Sequence, residues 1–488
     1  MSEKIKNLTI YDEFELHGYW WIPGDESNKV AGNLKYNSDG ITLKLLSNFE
    51  ENEPDYFTND YTILHGVTEH GEHITLCDGF INSCTDSFAS TSVTTIILFF
   101  NQMVLGKLFD TKKEIKFHSL SINYSSLEEW LGEHPFTRGS TLEKGQSSVI
   151  YKFPPTFEVS IHKKSTKVKS SYTLTTSRKL YKSHTFKQKA NLKIIPDAFM
   201  SLDWYINMIQ ELQDFLTLMT NQAIYPKKIQ ATGDFLDESR NLREEFFIFL
   251  LPQKMFKEQK IHSYMLHLNY KDIQDNLETI LNNWFTDSSY SSRKIYLRNF
   301  YEKAIDQESK FLNYARSLES FHRDTNLVSG QFIPDEVYTP IKKQMLDSIQ
   351  QGDIEKETFN NFKNKMSNVL KYAHHFGFER RIRDMFKDTD KRIKDIIFPN
   401  ELRQLKEFSR NVTITRDYYT HYGEIPDYYF KDLDLYFANE KLHVILYYYF
   451  CKNLGVEDDI IWRAINNDFV LERRLKTKTE KLTEEPTK

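Results

Sequence analysis

A chain of 488 residues is too long for a single hydrophobic core, which stops growing at roughly 250 to 300 residues, so two or three domains are expected. Hydrophobic residues make up 40 %, charged residues 27 % and aromatic residues 14 %, a composition that excludes a disordered chain. The net charge of −5, from 69 acids against 64 bases, excludes a global attraction to nucleic acid and leaves room only for a local basic patch.

The chain opens with MSEKIKNLTIYDEF, which lacks the apolar core of a signal peptide, and its longest apolar run, VTTIILFF, is strand-sized. Cys77, Cys84 and Cys451 are scattered, with no CxxC pair, so neither a zinc knuckle nor a disulfide framework is expected. A cytoplasmic protein with no membrane contact fits both observations.

From residue 8 to about 160 short β-type runs alternate with turns. In GITLKLL the apolar Ile41, Leu43 and Leu45 alternate with Thr42 and Lys44, and NSDG before it is hairpin chemistry. Trp20 and Trp21 read as core packing, with ligand stacking as the alternative. Between Lys163 and Lys193 stand ten basic residues and no acidic one, in a stretch whose alternation fits exposed strands. That stretch is either a lysine-guarded sheet edge or an RNA-facing surface.

After Pro196 the period changes to that of a helix, with Leu202, Ile206, Ile209, Leu216 and Met219 on one stripe. A strand-like EFFIFLLP follows, and then a helix carrying Ile273, Leu277, Ile280, Leu281 and Trp284. From about residue 300 nearly everything reads as helix. One stripe holds Phe311, Ala315, Leu318 and His322, a second Phe359, Phe362, Met366, Val369 and Ala373, and a third Leu442, Ile445, Tyr449 and Phe450, closed by Gly455.

The expected class is therefore α+β. It comprises a β-rich, sandwich- or barrel-like domain over residues 1–195, a mixed α/β region over 196–300, an all-α bundle over 301–470 and a charged, flexible tail over 471–488.

Along the chain, an Arg followed four to six residues later by a His pairs a phosphate-binding cation with a proton carrier. Chance alone supplies about two such pairs in a chain of this composition. Three occur: Arg178 with His184, Arg316 with His322, and Arg416 with His421. The first lies in the basic, strand-like stretch, and in the second His322 falls on an apolar stripe, as a hydrogen-bonded core histidine would. The third stands apart, because Arg416 is followed by Asp417, the preceding SRNVTI reads as a loop, and GEIP punctuates the chain soon after His421. On a regular helix a five-residue step leaves the two side chains roughly 140° apart.

The segments FLNYARSLESFHR, YAHHFGFERRIRDMF and TRDYYTHYG, in that order, resemble an ApeA-like HEPN domain. In the HEPN signature an Arg, a polar residue, three further residues and a His form an RNase site, and Arg416, Asp417 and His421 occupy those positions. Asp417 stands where Asn is commonest. Upstream, FELHGYWWIPG, VAGNLKY, ILHGVTEHGEHITLCDGF and SSLEEWLGE are similar to the ApeA N-terminal domain that precedes this HEPN domain in anti-phage proteins.

The resemblance implies an abortive-infection effector that cleaves RNA once a phage-derived trigger is sensed. It also implies a homodimer, since HEPN domains pair two-fold and place both signatures along one groove. Glu319 matches an acidic position of the family that would orient Arg416 or His421, or it is a surface acid. Tyr419 and Tyr422 would stack on bases, or pack against the helix core. His421 would carry the proton and Arg416 steady the phosphate, with no cofactor or metal, leaving 2′,3′-cyclic phosphate ends. A non-catalytic HEPN module that binds nucleic acid or protein, and a sensor-adaptor with a structural Arg416 and His421, are the alternatives.

Overall fold

The computed structural model describes residues 3–49, 60–88, 92–139, 148–251, 265, 267–302, 304–325, 330–399, 401–468, 470, 471, 473 and 475. The chain divides into two compact units, residues 1–262 with 268–285, and residues 263–267 with 286–488.

In the first unit six antiparallel strands close a barrel: β1 (Phe14–Trp21), β2 (Val30–Asn37), β3 (Gly40–Leu45), β4 (Asp60–Thr68), β5 (His73–Phe88) and β6 (Ser92–Leu105). The circuit runs β1–β2–β3–β6–β5–β4 and returns to β1, so every barrel strand has a neighbour on both sides. Alternation sets the faces, with Ile41, Leu43 and Leu45 fully buried and Lys44 exposed. Trp20 and Trp21 are both buried, which makes them core residues. Trp20 lies opposite Gly66 on β4, where a Cβ would come within 2.2 Å of the indole ring, so only glycine admits that side chain.

β6 leaves the barrel and enters an open sheet. Its residues Ile96–Phe100 pair with β3, whereas Gln102–Leu105 pair with the strand Leu242–Leu250. Beyond that strand follow Pro226–Asp237, Ser119–Tyr124, Ser183–Pro196, Thr166–Lys179 and Glu158–Ile161, all antiparallel. The helix expected after Pro196 spans Leu202–Thr220, is capped by the Ser201 side chain, and lies against the sheet. The Tyr124 hydroxyl donates to the Ile209 carbonyl at 2.9 Å, and the Tyr205 hydroxyl to the Phe117 carbonyl at 3.2 Å. The change of period at Pro196 thus marks a change of element within one core: the strands between residues 226 and 250 are interior to the sheet, and the first unit extends to Phe285.

The second unit is helical. The helix Gln307–Asp324 packs against Asp432–Asn453 and Glu401–His421, burying Phe311, Ala315, Leu318 and His322. Asp432–Asn453 is buried around most of its circumference, and Gly455, at φ 90°, supplies the left-handed residue after its end. At its centre the hydroxyls of Tyr296 and Tyr314 point to Nδ1 of His443, at 3.1 and 3.3 Å.

Two expectations need correcting here. The stripe on Lys356–Val369 is not buried by any described residue, and Phe362 and Val369 are exposed, because periodicity reports an apolar face and not what covers it. SRNVTI is no loop, since Ser409–Ile414 lies inside the helix Glu401–His421. The hydroxyls that suggested a loop bond back one turn, Ser409 to the Leu405 carbonyl at 2.7 Å and Thr413 to Ser409 at 3.0 Å. Among the described residues no helix is long and apolar enough to cross a membrane. All but three residues of the expected 471–488 tail lie outside the described residues.

Candidate active site

The helix Glu401–His421 carries all three signature residues without a break. Thr415 faces the core, where its hydroxyl bonds the Asn411 carbonyl and accepts from the Phe430 N–H at 2.8 Å, tying the following loop to the helix. Arg416, the next residue, emerges at the edge of that buried face with its side chain 25 % exposed.

Its guanidinium is held from two sides. Nη1 donates to Oε2 of Glu319 at 3.0 Å, while Nε and Nη2 face Oδ1 of Asp417 at 3.0 and 2.8 Å. Its plane also lies over the Phe378 ring, 4.6 Å from the centroid. Each guanidinium nitrogen therefore faces a carboxylate oxygen, and two of the five N–H donors stay uncommitted. Arg381 is buried nearby with Nε on the Phe376 carbonyl at 3.0 Å; burial presses its basicity down, and the charge of Glu319 opposes that.

Phe378 and Arg381 escaped the sequence reading, although the family-like segment FERRIRDMF contains both. The available signal was Arg381 itself, a cation three residues after Phe378 and four before Met385, on the apolar face of a short helix.

His421 is the last residue of the helix, exposed, with no side-chain hydrogen bond to a described residue. Tyr422 ends the helix by turning left-handed at φ 45°. The structure thus brings Glu319, Arg416 and Asp417 together, and leaves His421 about 7.5 Å further along the axis and turned roughly 140° away.

The two tyrosines diverge. Tyr419 is buried, its hydroxyl donating to the Phe430 carbonyl at 3.0 Å and its ring edge-on to Phe311, so base stacking does not fit it and core packing does. Tyr422 is 63 % exposed and donates to Oε2 of Glu308 at 2.7 Å, a bond that raises its phenol above the ordinary value. It borders a cleft of about 810 Å³ whose lining includes Tyr418, Tyr429 and an edge of Tyr419 with Asp306, Glu308, Asp432 and a single cation, Lys431. Rings and acids outnumber the cation, which suits a base better than a phosphate.

The other Arg–His pairs serve packing or stand in solvent. Arg178 and His184 oppose each other near the tip of a hairpin. His322 is buried as expected, yet neither ring nitrogen bonds a described residue; burial, then the charge of Arg381, keeps its basicity low. It is held by packing, not by the hydrogen bond expected of it.

Among the described residues no three His, Cys, Asp or Glu side chains are grouped to hold a metal ion. A family model described as ApeA N-terminal domain 1 matches residues 15–284, more than half of the chain, and one described as Apea-like HEPN matches residues 312–460. Comparison with curated proteins and with solved structures gives no match.

Proposed function

Because the chain belongs to the ApeA family, with an ApeA N-terminal domain followed by an ApeA-like HEPN domain of nuclease-type defence effectors, we propose that it cleaves RNA during phage defence through Arg416 and His421. The observation that carries this reading is the pairing, on one helix, of an anchored cation with an exposed imidazole that has no hydrogen-bond partner among the described residues.

Cleavage requires a group to take the 2′-OH proton or to protonate the leaving 5′-oxygen, and a cation for the charge gathering on the phosphate. His421, free in solvent, serves the proton. Arg416 serves the phosphate with its uncommitted N–H groups, while Glu319 and Asp417 fix its direction. Tyr422, beside His421 in sequence, offers its ring to a base. Products end in a 2′,3′-cyclic phosphate, and no metal takes part.

Arg416 and His421 stand on one uninterrupted helix, roughly 140° apart, so the working unit is at least a homodimer, in which a groove receives Arg416 and His421 from two copies. The N-terminal unit would sense a phage-derived trigger.

The test incubates purified wild type and His421→Ala with cellular RNA, with and without EDTA. Wild type should cut equally in both conditions and leave cyclic phosphate ends. The variant should lose at least about 100-fold in rate. It should also melt within a few degrees of wild type, because the replaced side chain is exposed. Cutting that survives in the variant, or that EDTA abolishes and magnesium restores, contradicts the proposal.

A further inference from the structure

The basic run in the first unit forms a long hairpin of Thr166–Lys179 and Ser183–Pro196. Residues opposed across an antiparallel pair share a face. The register Lys167↔Ile195, Lys169↔Lys193, Thr173↔Lys189, Thr175↔Lys187 and Lys179↔Ser183 therefore gathers six lysines on one face: Lys167, Lys169, Lys179, Lys187, Lys189 and Lys193. The other residues of that face are mostly small hydroxyls and an amide, Ser171, Thr173, Thr175, Ser177 and Asn191. Towards the base of the hairpin the opposite face sends Val168, Leu192 and Ile194 into the core, which fixes the lysines outward.

Lys167 and Lys169 share Glu158 at 3.0 and 3.8 Å, whereas Lys179, Lys187 and Lys189 are exposed and form no ion pair among the described residues. The basic surface then crosses to the next strands. A cleft of about 530 Å³ joins Lys187 and Lys189 to Lys227 and Lys228, with Asn123 on its wall. Glu128 and Glu129 also line it, so four lysines face two acids there, and one carboxylate oxygen of Glu128 is held by the Ala190 N–H at 2.7 Å. Burial, then the neighbouring Lys189, presses the Lys228 amine below its ordinary value, an unfavourable crowding that a bound anion would relieve.

At the far end of the hairpin Tyr181, in the turn, is 97 % exposed, while Phe186, opposite Thr176, lies on the other face and stacks there on His184. Lysine is depleted at protein–protein interfaces, which centre on apolar and aromatic anchors, while nucleic-acid interfaces are polar and positively charged. An exposed ring beside a cationic track is an arrangement that binds unpaired bases.

We infer that this lysine face is an RNA-docking surface, which holds the phosphate backbone of a single strand along the hairpin and offers Tyr181, in the turn at its tip, to the bases. The choice of RNA over DNA rests on the proposed nuclease activity, whereas the phosphate contact does not.

The experiment measures binding without cleavage. Full-length His421→Ala, with and without the added substitutions Lys179→Glu, Lys187→Glu and Lys189→Glu, is titrated against a fluorescein-labelled single-stranded RNA of about 20 nucleotides at several salt concentrations. The triple charge reversal should weaken binding at least tenfold at low salt and reduce the slope of log affinity on log salt by about 2. Reversal of Lys363 and Lys365, exposed or half-exposed on a helix of the second unit, should leave both unchanged. Should the triple variant misfold, photocrosslinking of thiouridine-containing RNA to the His421→Ala chain decides: adducts within residues 167–193 support the inference, and adducts confined to other segments overturn it. Unchanged RNA affinity in a folded triple variant also overturns it, as does a face that binds polyglutamate and not RNA, which would assign it to an acidic protein. The readout is separate from cutting, so its failure leaves the nuclease proposal standing, and the reverse holds too.

Discussion

Arg416 sits between two carboxylates, and the residue that follows it decides how strongly. An Asn at position 417 would accept a hydrogen bond without charge, whereas Asp417 adds a second negative group that competes with a phosphate for the same guanidinium. Asp417→Asn should therefore keep or raise the rate of RNA cleavage, while Arg416→Lys, which holds its charge but loses the planar fork, should lower it by at least about tenfold. Single-turnover rates with a labelled RNA check both. Equal rates in wild type and Arg416→Lys would mean that the guanidinium serves packing alone.

The signature residues were legible because they are contiguous, and Glu319 because the family resemblance reached the first long helix. Phe378 and Arg381 were not, because their place beside Arg416 and Glu319 is a fact of folding across 35 to 62 residues of chain. Of the two readings open for Tyr419, base stacking and core packing, its hydroxyl bond to the Phe430 carbonyl favours packing, a contact that nothing local announces.

Helices were read well wherever an apolar stripe found a partner, as in Gln307–Asp324 and Asp432–Asn453, and misread where local chemistry had two outcomes. The Ser/Thr-rich turn before Arg416 turns its hydroxyls back onto helix carbonyls, an option that a reading of loop-forming residues misses.

The helix Asp432–Asn453 also carries a pH dependence. His443 is enclosed, and burial, followed by the charge of Lys310, pushes its imidazole down to about 3. The unfolded chain, with an ordinary value of about 6.5, binds a proton that the folded chain refuses between those two values. Stability is then complete above about pH 6.5 and falls as the pH drops towards 3, by about 2 kcal/mol at pH 5. Thermal melts of wild type and His443→Gln between pH 7.5 and 5 should show a steeper loss in the wild type over that window. Parallel curves would mean that the imidazole is not held neutral.

For the whole molecule the proposed mechanism, on an unbroken motif helix, makes assembly part of the chemistry. Arg416→Ala and His421→Ala chains, each inactive alone, should regain part of the activity when mixed, because a hybrid dimer rebuilds one site from an Arg and a His of different copies. Activity in a sedimenting monomer, with no recovery on mixing, would place both groups on one phosphate within one chain.

β6 has a consequence for how this protein can be taken apart. The strand is a stave of the closed barrel over one half of its length and a rung of the open sheet over the other. A cut near residue 195, where the sequence changes period, would strip the Leu242–Leu250 strand from β6 and bare the hydrogen-bonding edge of Gln102–Leu105, along with Phe247 and Phe249 contacts that help fill the barrel end. Such a fragment would carry a sticky strand into solution and pair with its own copies. An N-terminal fragment that stays soluble alone has to run through the Leu242–Leu250 strand, and dissection of the chain by its sequence periods would manufacture aggregates rather than domains.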